Sequence, residues 1–416
     1  MSLSLAATPR VSFLISTYNR RDVLLGTLGQ IVACGLRPED YEILVVDNGS
    51  TDGTADAVAE AFPHVRLFRL KRNAGPCSKN LALSEAVGEF AVFLDDDSYP
   101  APGSIERMIA HFEADPYLGG AIFTVTLPDG SQECSAYPNV FIGCGTGFRR
   151  QVVEKLGGLP EDYFMAAEEY VLSLRMMDAG WDIQRFDDLH VTHLKTPSSR
   201  NSRRITRLDV RNNITLAMRM FPPQWAVLFA REWTARYRLI AASKGHRLAF
   251  AAGVMQGIWR AMQLWKRTPI DEWTFEAFAR LDETRDRLQR AAEQHGLKTV
   301  LLLDYGKNIY AWYRAARELG LQIVAIADNR LCGPGRTYRD IPIIDDTTAR
   351  TLQFDAAVVS NLSPVHARQR AAAWSHMDIR PVIDLFADDR YAEPAVVTPD
   401  AVQAAWESRR TAARSA

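Results

Sequence analysis

Four short apolar runs, each stopping at polar residues, constrain this chain more than any other feature. They are Val11–Ser16, Glu42–Asp47, Val65–Leu70 and Phe90–Leu94. Helical patterns separate them at Asp22–Ala33, Thr54–Phe62 and Cys77–Ala86. Runs rich in Val, Ile and Leu read as strands buried on both faces. Their alternation with amphipathic helices predicts an α/β fold with a mostly parallel sheet. In such sheets ligands bind outside the carboxyl ends of the strands. Those ends carry Thr17-Tyr18-Asn19, Asp47-Asn48-Gly49-Ser50 and Asp95-Asp96-Asp97. Three strands therefore deliver polar groups to one edge.

At 416 residues the chain exceeds one ordinary core and calls for two or three domains. A formal net charge of -1 argues against a general nucleic-acid binder. The five cysteines, Cys34, Cys77, Cys134, Cys144 and Cys332, form no C-x-x-C pair. They read as reduced thiols rather than a zinc site or disulfide framework. The N-terminus lacks a basic region followed by an apolar one, and no window offers the ~18 apolar residues of a membrane span. The expectation is a cytoplasmic protein, with peripheral contact at the inner membrane face as an open alternative. The charge is unevenly spread. Between Lys195 and Arg267 stand 15 Lys and Arg residues against Asp209 and Glu232 alone. Such a stretch is either a solvated basic face or the mark of an anionic partner, a phosphate or a lipid surface.

The organisation expected is a first α/β domain over residues 1–220, a helical layer over 221–296, a small Rossmann-like α/β domain over 297–390 and a tail over 391–416. The middle segment mixes Trp225, Trp233, Trp259, Trp265 and Trp273 with basic residues, a pattern of inter-domain helices or of a bilayer interface. In the third segment Thr299–Leu303, Gln322–Ala327, Ala356–Val359 and Pro381–Leu385 read as strands and Tyr310–Leu319 as a helix. Its first turn, Asp304-Tyr305-Gly306-Lys307-Asn308, has one glycine where a dinucleotide fingerprint needs three. Asp328 stands where a ribose-binding acid would be, yet a scaffold or binding role fits better than a dehydrogenase.

Three carboxylates directly after a buried strand repel one another unless a cation neutralises them. A hard divalent ion bridging to substrate phosphates is one solution. A helix N-cap cluster ahead of Pro102–Ala114 is the other. Around Asp47, Gly49 permits a tight turn and Ser50, Thr51 and Asp52 suit a helix cap. Asp47 itself can accept a hydrogen bond from the imide N–H of a base.

Taken together, Ser16-Thr17-Tyr18-Asn19-Arg20, VVDNGSTDGT, Asn73-Ala74-Gly75…Asn80 and LDDDSYP resemble glycosyltransferase family 2 with its GT-A fold, over roughly residues 10–220. The resemblance implies an inverting, metal-dependent enzyme. It would move a sugar from a nucleoside-diphosphate sugar to a hydroxyl of a carbohydrate or lipid-linked acceptor, in polysaccharide or glycoconjugate biosynthesis. Thr17 and Asp47 then match nucleoside-binding positions. Asn19, Arg20, Asn48, Asp52, Asn73, Gly75, Lys79, Asp95, Asp96 and Gly145 go with them as nucleotide-sugar-binding candidates. Asp97, Asp95 and His193 are the implied ligands of Mn²⁺ or Mg²⁺. Asp96 reads as a solvated or capping acid. Gly143–Arg150 resembles a glycine-rich loop leading into a helix and lining the sugar pocket. Ala167–Arg175 resembles the family's acidic helix, with Glu169 as the general base in place of the commoner aspartate and Glu168 as runner-up. Arg200, Arg203 and Arg204 are candidates for a mobile basic loop over the diphosphate. The alternatives weighed are a non-catalytic nucleotide-sugar-binding module of a polysaccharide-assembly complex and, lower, a nucleotidyltransferase. The latter lacks a glycine in Ser16–Arg21.

Overall fold

The computed structural model describes residues 8–196 and 202–386, which fall into two compact units. The first comprises residues up to Ser135 together with Asn139–Asn201. Its strands are β1 (Val11–Thr17), β2 (Tyr41–Asp47), β3 (Arg66–Arg69), β4 (Phe90–Asp95), β5 (Ser98–Pro100), β6 (Leu118–Thr126), β7 (Gln132–Glu133), β8 (Thr146–Arg149) and β9 (Asp182–His193). Its helices are α1 (Arg21–Val32), α2 (Thr54–Ala61), α3 (Lys79–Glu85), α4 (Ser104–Ala114), α5 (Arg150–Lys155) and α6 (Glu168–Asp178).

These strands form one sheet in the order β3-β2-β1-β4-β8-β6-β9-β5, with β7 beside β6. The expected α/β class holds, and the four N-terminal runs pair in parallel. Phe13, Ile15, Ile43 and Val45 enter one core cluster. Leu14, Leu44, Val46 and Phe93 enter another. Successive residues of a strand point to opposite faces, so an unbroken apolar run needs cover on both. Register then fixes the edge: Thr17 lies beside Asp47, and Ser16 beside Asp95.

The other half of the sheet is mixed. β8 runs antiparallel to both β4 and β6, β6 is parallel to β9, and β5 is antiparallel to β9. The glycine-rich stretch Gly143–Arg150, expected to be a loop leading into a helix, does run into α5 at Arg150, but its second half, Thr146–Arg149, is strand β8. Its glycines serve packing: a Cβ on Gly147 would stand 2.1 Å from Met108 Sδ, and one on Gly145 2.8 Å from Val125 Cγ2.

The second unit holds Ala136–Pro138 and the chain from Ser202 onward. It contains α7 (Ser202–Met220), α8 (Pro223–Ser243), α9 (Arg247–Ala261), α10 (Glu272–Ala279) and α11 (Leu281–His295). There follow β10 (Thr299–Leu303), α12 (Ile309–Glu318), β11 (Gln322–Ala327), β12 (Thr337–Tyr338), β13 (Ile341–Ile344), α13 (Asp346–Arg350), β14 (Ala356–Val359), α14 (Pro364–Ser375) and β15 (Val382–Ile383). A second sheet orders them β12-β13-β11-β10-β14-β15, all parallel except β12 against β13. Helices and sheet are stitched together. Trp233 Nε1 donates to Lys307 O at 3.1 Å, Arg236 Nε to Tyr305 O at 2.8 Å, and Asn308 Nδ2 to Ala279 O at 2.7 Å. Edge-on and stacked rings of Phe221, Phe229, Trp233, Phe275, Phe278 and Tyr137 fill the space between helices.

Candidate active site

The acid run is buried, not solvated. Asp96 and Asp97 are 5% and 1% exposed. Each acid of the run meets a cation, Arg20 serving two of them. Lys79, itself buried, places Nζ 3.0 Å from Asp95 Oδ1 and 3.1 Å from Gly143 O. Asp96 receives Thr17 Oγ1 at 2.9 Å and Arg20 at 2.9 Å. Asp97 Oδ2 receives Arg20 at 2.8 Å and the backbone N–H of Thr196 at 2.9 Å. The expectation of a solvated or capping Asp96 is thereby corrected: it ties the end of β1 to the acid run. Burial pushes its carboxyl up to about 6, against the pull of Arg20. For Asp97 burial acts in the same direction, but His193 and Arg20 outweigh it and hold the carboxyl well below the usual range.

Strand β5 sets the next contact. Immediately after the acids the chain pairs with β9, Ser98 opposite His193, and Leu194 N donates to Asp97 O at 2.8 Å. His193 is thus delivered to Asp97, its Nε2 3.2 Å from Oδ1. Both atoms are buried, and neither has a well-formed hydrogen bond. The other imidazole nitrogen, Nδ1, lies 2.7 Å from Glu133 Oε2. Burial disfavours the imidazolium, yet Asp97, Cys144 and Glu133 together raise its pKa to about 12. One donor atom each from Asp95, Asp97 and His193 fits within 4.8 Å. A carboxylate behind an imidazole is the usual arrangement that orients a metal-binding histidine. Two carboxylates and one imidazole, with two inward-facing buried atoms that lack a proper partner, fit a divalent cation.

Of the other predicted positions, most hold the loops of this edge. Asp47 accepts from the Ser50 N–H and hydroxyl, around the turn at Gly49 (φ 79°). Asn19 receives Thr51 N at 2.8 Å and donates its own N–H to Ser50 Oγ. Asp52, just before the Gly53 cap of α2, accepts Thr54 N at 3.0 Å. Asn48 is buried, receiving Ala74 N at 3.0 Å and donating to Ser78 Oγ at 3.1 Å. Asn73 receives Gly75 N at 2.8 Å. Arg20 and Lys79 face the acids. Gly145 serves the core, as described.

Glu168 and Glu169 open α6 after an unusual stretch. Phe164, Ala166 and Ala167 all have positive φ, between 66° and 72°. Left-handed backbone at non-glycine residues costs energy and gathers at functional sites. Glu168 is buried, its Oε2 without a hydrogen bond. Burial and then the neighbouring Glu169 raise its pKa well above the ordinary value. Glu169 is half-buried. A Cβ on Gly143 would lie 3.8 Å from Glu169 Oε1 and 4.0 Å from Lys79 Nζ. Gly143 thus marks the point where base candidate and acid run approach one another. Arg175, two turns further along α6 on the same face, donates to Leu156 O and Gly158 O rather than to Glu168.

Arg200 lies outside the described residues. Arg203 and Arg204 sit in the first turn of α7, a helix where a loop was expected. Glu133 went unread in the sequence. It precedes His193 by 60 positions, and nothing in Ser131-Gln132-Glu133 signals a partner. In the second unit Asp328 accepts Tyr305 N, Arg330 N and Leu331 N, each at 2.9 Å, so backbone amides fill the ribose-binding position considered for it.

Residues 12–133 match the family model described as Glycosyl transferase family 2. The chain is similar to Glycosyltransferase AglE of Haloferax volcanii, 24% identical over 208 residues, covering 45% of this chain and 68% of that protein. It is also similar to an undecaprenyl-phosphate 4-deoxy-4-formamido-L-arabinose transferase of Enterobacter sp. The two are 36% identical over 110 residues, 25% of this chain and 34% of that one, about a third of its length. Among solved structures, S. aureus TarS 1-349 in complex with UDP-GlcNAc gives a TM-score of 0.48 at 15% identity, covering 75% of this chain and 92% of TarS 1-349. The mannosyltransferase PcManGT from Pyrobaculum calidifontis, in complex with GDP-Man and Mn²⁺, gives 0.44 at 22% identity, covering 61% of this chain and 88% of PcManGT. The family match and the curated relatives support a glycosyltransferase.

Proposed function

We propose that this chain moves a sugar from a nucleoside-diphosphate sugar to a hydroxyl of a carbohydrate or lipid-linked acceptor, with inversion at the anomeric carbon. The observation that carries this reading is the meeting of β1, β2, β4 and β9 at one edge. There Asp47, Asp95–Asp97 and His193 converge, with Asp97 Oδ1 and His193 Nε2 facing each other. A divalent ion held by Asp97, Asp95 and His193 would supply positive charge to a leaving diphosphate. The imidazole in that set favours Mn²⁺ over Mg²⁺, which prefers oxygen alone.

The remaining work falls to the protein. Arg20 and Lys79 hold the acids in place without substrate. We assign Thr17 and Asp47, at adjoining strand ends, to the nucleoside, as the family resemblance implies. Glu169 takes the acceptor hydroxyl proton as that oxygen attacks the anomeric carbon from the side opposite the diphosphate. Burial disfavours the charged form of Glu168 and raises its pKa well above the ordinary value, which leaves Glu169 as the acid we assign as base. No covalent intermediate is needed. We place the reaction in the cytoplasm, in polysaccharide or glycoconjugate assembly.

The test is a panel of nucleotide sugars with Mn²⁺, read as release of nucleoside diphosphate. Turnover with one donor is expected. Glu169→Gln should lower kcat by about 10²–10⁴-fold, and Asp97→Ala should remove the metal response. Binding of a nucleotide sugar with no turnover on any acceptor would favour a silent binding module instead.

A further inference from the structure

Helix α9 is built inside out. Its small residues face inward: a Cβ on Gly253 would stand 2.7 Å from Arg207 O and 2.8 Å from Val210 Cβ, and one on Gly257 2.9 Å from Ile214 Cβ. Glycines four apart let two helices close tightly, here α9 onto α7. The large apolar residues Leu248, Met255, Ile258, Trp259 and Met262 fall at helical spacing on the other side, and each is more than half exposed. Leu264 and Trp265, in the following turn, extend the same exposed patch. A helix of a water-facing surface shows the reverse pattern.

Beside this face lies a cavity of about 770 Å³ among α7, α8 and α9. Ile214, Met218, Phe250 and Val254 line it, with Arg231 and Arg238 among its polar residues. The size suits a long, flexible apolar ligand. Charge then selects among occupants. From Trp233 to Ile270 the sequence contains Arg236, Arg238, Lys244, Arg247, Arg260, Lys266 and Arg267 and not one Asp or Glu. A second copy docking through this face would set like charges against like.

We propose that the exposed face of α9 and the adjoining turn dock on an anionic phospholipid bilayer, a lipid chain entering the cavity. Trp259 and Trp265 sit at headgroup depth, with Lys244, Arg247 and Lys266 reaching lipid phosphates. No described helix is long and apolar enough to cross a membrane. The docking does not depend on the sugar-transfer reading, because binding is measured without donor or acceptor.

Full-length protein is sedimented with vesicles of phosphatidylcholine alone or mixed with phosphatidylglycerol. Binding to the mixed vesicles is expected, weakening as salt rises. Lys244→Ala, Arg247→Ala and Lys266→Ala together should lower the partition coefficient about a hundredfold. Trp259→Ser with Met262→Ser should lower it independently. All five side chains are exposed, so thermal melting should be unchanged and verifies folding. Absence of wild-type binding to the mixed vesicles overturns the proposal, as does binding that neither variant weakens. Lack of vesicle binding together with a dimer that Trp259→Ser and Met262→Ser disperse would assign the face to self-association instead.

Discussion

Gly75→Ala should impair turnover far more than it unfolds the protein. Gly75 has φ 71°, where an alanine costs about 1 kcal/mol. Its new Cβ would lie 2.5 Å from Phe164 O, whereas ordinary contact begins near 3.4 Å. The carbonyl must therefore retreat by about 0.9 Å. Phe164 heads the positive-φ stretch that ends at Ala167, immediately before Glu168 and Glu169. Because Phe164 stands only four residues before Glu168, the displacement is expected to pass to the acids. A misplacement of about 1 Å in a reacting group costs roughly 10²-fold. The expected result is a kcat loss near 10²-fold with about 1–3 kcal/mol of stability lost, read from initial rates at saturating substrates and from chemical denaturation. Gly130→Ala is the control, since Gly130 has φ 81° with nothing within 4 Å. It should lose about 1 kcal/mol and no turnover. A Gly75→Ala enzyme that matches Gly130→Ala in turnover refutes the coupling between the Gly75 turn and the acidic helix.

Glu133→Gln should weaken Mn²⁺ activation about 10–100-fold while leaving kcat at saturating Mn²⁺ nearly intact; an unchanged titration curve separates Glu133 from the metal. Glu168→Gln, which removes a carboxyl whose charged form burial already disfavours, should change kcat much less than Glu169→Gln does. The opposite ranking assigns the base to Glu168. Asp209 carries a carboxyl raised to about 6 by burial, against the pull of Lys307 and Lys244. Its folded pKa exceeds the unfolded value of about 3.9, so the charge opposes folding above pH 6, and the penalty fades as pH falls towards 4. Asp209→Asn should therefore melt higher than the parent at pH 7.5, the gap closing near pH 4. A gap that does not vary with pH counts against this account.

Legibility in the sequence followed the range of the interactions. Strands such as Thr299–Leu303, Gln322–Ala327 and Ala356–Val359 coincide with β10, β11 and β14, because a buried parallel strand is an uninterrupted apolar run. The polar strand ends at Thr17, Asp47 and Asp95 were readable for the same reason. Strand β8 was not. Gly147 within it and Gly145 just before it imitate a loop, and only the closeness of Met108 and Val125 explains them. Nor did the acid run disclose its counter-charges. Arg20 precedes Asp97 by 77 positions and Glu133 precedes His193 by 60, separations at which a single sequence holds no pairing signal. The Trp-rich middle was ambiguous until the structure sorted it. Trp233 is buried among aromatic rings, while Trp259 and Trp265 are exposed.

The three aspartates have one further consequence. Alike in chemistry and adjacent in the chain, they are individuals. Asp95 answers to Lys79, Asp96 to Thr17 and Arg20, and Asp97 to Arg20, Thr196 and His193. Loss of Asp95 would leave the buried Lys79 ammonium without its carboxylate, whereas loss of Asp96 or of Asp97 would leave Arg20 still paired with the other. Replacing Arg20 would remove the cation from two buried acids at once.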